Sequence, residues 1–128
     1  GSMGAAMEGQ PEEAENLRTQ AQDLLQAFHK ETPSDLIQRA ESLEGERDSL
    51  DLVVKALARH ARSQAEALLG KARDDGPSAF RARQLMDVAN GALQLRSDLQ
   101  RSGANVRLNL ERFFLRMRHA LTDSRISQ

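Results

Sequence analysis

Apolar residues recur at three- and four-residue intervals along most of the chain, and Pro and Gly break that rhythm into five helical segments. The first carries Ala14, Leu17, Ala21, Leu24, Leu25 and Phe28. Its expected start is Pro11, which pre-sets φ, followed by Glu12, Glu13 and Glu15, which suit the positive end of the helix dipole. His29 and Lys30 close it with cations. The second is short, with Leu36, Ile37, Ala40 and Leu43 on one side, Thr32 as cap, Pro33 in the first turn and Gly45 as stop. The third runs from Glu46 to about Ala72 on Leu50, Val53, Val54, Leu57, Ala61, Ala65, Leu68 and Leu69. Its many alanines would let a neighbouring helix approach closely.

After the break "RDDGPSAF", a fourth helix is expected from Ser78 to Arg101. Its stripe is Leu85, Val88, Ala89, Ala92, Leu93 and Leu99, interrupted by Arg96. Gly91 in its middle costs about 1 kcal/mol against Ala and marks a place of close packing. "SGAN" breaks the chain again, and the last helix covers "GANVRLNLERFFLRMRHAL". No strand-period alternation persists, and no repeat is evident. The expected fold is all-α, a single-domain bundle of about five helices. Residues 1–10 read as an N-terminal tail or the remnant of a preceding domain, residues 11–123 as the helical domain, and residues 124–128 as a frayed tail.

The last helix has two faces. At about 100° per residue, Val106, Leu110, Phe113, Phe114, Met117, Ala120 and Leu121 gather on one side as a core face. Leu108 and Leu115 lie nearly opposite, among Arg107, Glu111, Arg112, Arg116, Arg118 and His119. Three readings stay open. The helix is buried on both sides, or its back face meets another chain, or the two leucines are ordinary exposed residues.

Charge and composition narrow the function. Net charge is −1, but residues 1–51 carry 12 acidic and 4 basic side chains while residues 52–128 carry 7 and 14. Such a split either joins halves or neighbours by complementarity or reflects solvated faces of different sign. With no Cys, disulfides, thiolate metal sites and cysteine nucleophiles are excluded, which fits an intracellular protein. No apolar run approaches the length of a membrane span. There is no phosphate-cradling G-x-x-x-x-G-K-[ST], no G-x-S-x-G and no H-E-x-x-H. His29, His60 and His119 fall on three different helices, so no metal site is expected. Nothing points to an enzyme or to a cofactor. Residues 101–125 hold six arginines against two acids, a patch that could touch phosphate, though without interleaved aromatics.

The stretch "LRSDLQRSGANVRLNLERFFLRM" resembles the end of the delta-prime subunit of the bacterial DNA polymerase III clamp loader. Ala104, Asn105, Val106, Leu108, Leu110, Glu111, Phe113, Phe114, Leu115 and Met117 sit on the family pattern. Gly1, Ser2, Gly4 and Ala6 also match the family's G-S-x-G-x-A segment, where ATPase-type domains give way to the C-terminal collar; Gly1–Met3 equally match a cloning scar. Phe113 and Phe114 stand where leucines are more usual, and Asn109 where a small residue is, which leaves gamma/tau and delta collars as relatives of the same kind.

The resemblance implies a cytoplasmic, non-catalytic collar domain. In such loaders five subunits form a ring through these domains and load the sliding clamp during DNA replication. The expected partners are the gamma/tau and delta collars, with DNA met only indirectly through the assembled loader. Asn105, Val106, Leu110, Glu111, Phe113, Phe114 and Met117 would be motif and core positions, and Leu108, Arg112, Leu115, Arg116 and His119 the subunit interface. Burying two leucines is worth roughly 3–6 kcal/mol, no more than association costs. The isolated chain is therefore expected to be a monomer or weak dimer. A small helical nucleic-acid-binding domain using the basic last helix is the alternative of another class.

Overall fold

Local signals in the sequence open and close five helices: α1 (Ser2–Lys30), α2 (Pro33–Glu44), α3 (Arg47–Lys71), α4 (Pro77–Leu99) and α5 (Val106–Thr122). The computed structural model describes residues 2–71, 76–101 and 103–122, with side chains from residue 12 onward except residue 71. The chain is an all-α bundle, as its periodicity requires. The expected frayed tail at 124–128, Arg73–Asp75 of the "RDDGPSAF" break, and the side chains of Ser2, Gly4 and Ala6 with all of Gly1 lie outside the described residues.

α1 differs from expectation at its start, which is Ser2 and not Pro11. Ala5, Ala6, Met7 and Glu8 are strong helix formers. Pro11 lies inside the helix, where it removes one N–H bond and crowds the carbonyl four residues back, so it is a cost that the helix formers on either side offset. α2 begins as read. The Thr32 hydroxyl accepts from the Asp35 N–H, and the Asp35 carboxylate accepts from the Thr32 N–H, a reciprocal capping box. Gly45 ends α2 in right-handed geometry, its N–H bonded to the Leu43 carbonyl.

α3 and α4 pack side by side along most of their lengths, antiparallel, so that Asp51 near the start of α3 reaches Arg96 near the end of α4 at 2.6 Å. α1 lies along α3 and also touches α5, which packs in turn on α2 and α4. At the centre stand Phe28 of α1 and Phe113 and Phe114 of α5, with ring centroids 5.4–6.0 Å apart and the Phe28–Phe113 pair edge-on at 88°. Around them Leu36, Leu57, Leu85, Leu110, Val53 and Val88 are buried. Gly91 marks close packing: a Cβ there would stand 3.2 Å from both Phe113 Cε1 and Met117 Cε.

Some stripe positions fall differently. Leu93 is exposed, and Leu95 takes its place in the core. Leu95 follows Ala92 by three and Val88 by seven and stays on their face, whereas Leu93, one step past Ala92, is rotated about 100° away. Leu69 is exposed for the same reason, with Leu68 half-buried in its stead. Ala14 is also exposed, because the well-covered part of α1 begins at Leu17.

Truncating Phe28 to Ala removes the ring that joins α1 to α5, and a loss of about 3–5 kcal/mol is expected. Gly91→Leu forces α4 away from α5 and is expected to cost about 2–3 kcal/mol, whereas Gly91→Ala stays within about 1 kcal/mol because helix propensity offsets the tight contact. Urea denaturation followed by circular dichroism measures all three.

Candidate subunit interface on the last helix

Gly103 has φ of 77°, a left-handed turn that suits glycine and redirects the chain after α4. Asn105 then caps α5: its side-chain Oδ1 accepts from the Leu108 N–H at 2.9 Å. The Asn105 carbonyl takes the first helical bond, from the Asn109 N–H, and also the Asn109 amide. The motif residue Asn105 thus serves the helix start, and it is exposed.

The inner face of α5 is as expected. Val106, Leu110, Phe113, Phe114, Met117 and Leu121 are buried, with Ala120 half-buried. Gln84 of α4 donates to the Ala120 carbonyl at 2.8 Å and fixes the far end. Two of the arginines that flank the outer leucines turn inward. Arg107 bonds Glu111 on its own helix at 3.1 Å and Glu41 of α2 at 3.3 Å. Arg118 donates to the carbonyl of Glu31 at 3.0 Å, capping the C-terminal end of α1. The motif residue Glu111 is thereby tied down within the bundle.

What remains outside is a strip of Leu108, Arg112, Leu115, Arg116 and His119. Leu108 is 41% exposed, while Leu115 is half-buried at the strip's edge. Arg112, Arg116 and His119 are exposed. The reading in which α5 is buried on both sides is therefore overturned: three helices cover its inner side, and none of the described residues covers Leu108. Arg112 and Arg116 have no carboxylate partner among the described residues. Arg112 borders a shallow recess of about 360 Å³ with Asp98, Arg101 and Asn109, and His119 borders another of about 470 Å³ with Phe80, Met86 and Asp87 of α4. Such a strip can offer leucine knobs and guanidinium donors to a carboxylate-bearing surface.

Part of the split charge is paired across helices, Arg96 with Asp51 and Arg107 with Glu41, and the acidic half also pairs within itself. Arg39 of α2 makes a bidentate pair with Glu31 at 2.6–2.7 Å and a further bond to Asp23 at 2.8 Å, which raises its pKa, chiefly through Glu31. His29 is the exception. Its Nε2 is buried without a partner, and burial, together with Arg81 and Lys30, lowers its pKa below 6.5. His60 of α3 is lowered too, by burial and then by Arg18. Among the described residues no three His, Asp or Glu side chains gather as a metal site would need, and no helix is long and apolar enough to cross a membrane. Periodicity passed over one exposed leucine, Leu52 of α3, which its place beside Val53 and off the stripe of Leu50, Val54 and Leu57 could have signalled.

Both lowered histidines are neutral in the fold and take up protons more readily when unfolded. Stability should therefore be complete above pH 6.5 and fall as pH drops through 6.5 toward the lower folded-state values. His29→Leu is expected to flatten that fall, as measured by urea midpoints at pH 7.5 and 5.5. Asn105→Ala removes the α5 cap and should lower stability by about 1 kcal/mol, read from the same curves at pH 7.5.

No family model, curated protein or solved structure matches this chain.

Proposed function

We propose that this chain is a non-catalytic assembly domain, and specifically the collar of a clamp-loader delta-prime subunit, which joins gamma/tau and delta collars in a cytoplasmic ring that loads the sliding clamp. The observation that carries the reading is the two-sidedness of α5. Its inner face is closed by Phe113, Phe114, Leu110 and Met117, while Leu108 with Arg112, Arg116 and His119 is left uncovered. The same helix carries the sequence resemblance. An assembly domain needs a rigid scaffold and a surface that is stable when free and improved by a partner. Leucine anchors flanked by arginine donors fit that requirement. A collar of another loader subunit would use the same surface.

Mixing the chain with gamma-type collar domains should give a complex by light scattering after size exclusion. The double change Leu108→Asp with Leu115→Asp should weaken it by more than about thirtyfold, while helix content by circular dichroism is kept. Assembly that survives the double change would sink the interface assignment. Arg112 and Arg116, without a carboxylate partner among the described residues, also suit phosphate, so the same proteins are titrated with primer–template DNA. Tight, steeply salt-dependent binding by the isolated chain would favour the nucleic-acid reading instead.

A further inference from the structure

A second surface lies on the opposite pair of helices, between α1 and α3. There the two helices run antiparallel and leave an open groove of about 760 Å³. Leu17, Leu52 and Ala56 give it apolar walls, and Leu52 is 48% exposed. The residues that line it from α3 follow helical spacing, Leu52, Ala56, Arg59 and Ser63, over about three turns. Ala14, Ala56 and Ser63 are small, so the groove stays open where larger side chains would fill it.

Its charge is one-sided. Arg18 is already matched by Glu15 at 2.8 Å. Lys55 and Arg59 line the groove with no carboxylate partner among the described residues. A long apolar trough between two helices, with free cations at its side, has the shape and charge that receive an amphipathic helix. Nucleic acid fits it less well, since among the described residues no Phe, Tyr or Trp lines it for bases to stack on and His60 is the single ring there.

We infer that the α1–α3 groove docks an acidic amphipathic helix of another chain, its leucines resting between Leu17, Leu52 and Ala56 and its carboxylates on Lys55 and Arg59. About three turns of that helix would be held. The inference does not use the outer face of α5 and stands or falls apart from the collar reading.

The test uses a fluorescein-labelled 15-residue amidated peptide with leucines at helical i, i+4, i+7 and i+11 spacing and glutamates on the flanks, together with a twin carrying lysines in place of the glutamates. Anisotropy titration of the full chain should show saturable binding of the glutamate peptide and at least tenfold weaker binding of the twin. Leu52→Asp, and separately Lys55→Glu with Arg59→Glu, should each weaken the glutamate peptide at least tenfold. All these positions are solvent-facing or half-exposed, so the charge pair serves as the second variant should Leu52→Asp lose helix content. Leu108→Asp with Leu115→Asp should leave peptide binding unchanged. Equal binding of both peptides, or of the groove variants, overturns the inference. So does competition by a 15-nucleotide single strand, which would make the groove a nucleic-acid site, or a dimer by sedimentation equilibrium that Leu52→Asp abolishes, which would make its occupant a second copy.

Discussion

Three phenylalanine rings hold this fold in register. Phe28 reaches from α1 to Phe113 and Phe114 on α5, and the α4 backbone at Gly91 comes within contact distance of the Phe113 ring. Any side chain at Gly91 larger than a methyl would push α4 off α5. Any loss at Phe28 would loosen α1 from α5, leaving α1 held chiefly along α3. The cluster has a further consequence. It fixes the rotation of α5 about its own axis, because adjacent residues Phe113 and Phe114 both point inward. With that rotation set, positions 108, 112 and 119 have nowhere to go but out. The outward leucine thus follows from the core, and its exposure is a property of the whole bundle.

Electrostatics adds a second layer of constraint at the seams between helices. The acidic N-terminal part and the basic C-terminal part meet in Asp51–Arg96 and Glu41–Arg107, and the Arg118 guanidinium caps α1 at the Glu31 carbonyl. These contacts are partly exposed, and each contributes little by itself. Their effect is to choose partners: an arginine engaged with α1 or α2 is not available to another chain. Among the described residues of the C-terminal part, Arg112 and Arg116 on α5 and Lys55 and Arg59 on α3 are cations left without a carboxylate partner.

Helix number, the α2 cap and the inner face of α5 were legible in the sequence because each depends on residues within a few positions of one another. Thr32 before Pro33 announces its own geometry, and so do Phe113, Phe114 and Met117 at helical spacing. What was not legible depended on residues far apart. The turning of Arg107 toward Glu41, and of Arg118 toward the end of α1, needed the helices to be in place. Pro11 misled for a different reason: its fixed φ suits a first turn, and its cost inside a helix gave no sign that the helix runs on through it. The candidate strip on α5 was legible as a face, but which of its six charged residues are free was not.

The two uncovered surfaces share a sign, and this bears on what the chain can assemble with. The α5 strip presents Leu108 with Arg112 and Arg116, and the α1–α3 groove presents Leu52 with Lys55 and Arg59. Placing one copy's strip in another copy's groove would bring like charges together around the leucines, which opposes head-to-tail chains of identical subunits. An isologous pairing of two α5 strips meets the same repulsion. Each surface is better served by a chain that supplies carboxylates around an apolar centre. Like charges around each leucine therefore disfavour pairing either surface with a second copy. On the proposed collar reading, that suits a subunit that occupies one defined place in a mixed ring, where an identical neighbour would be an error of assembly.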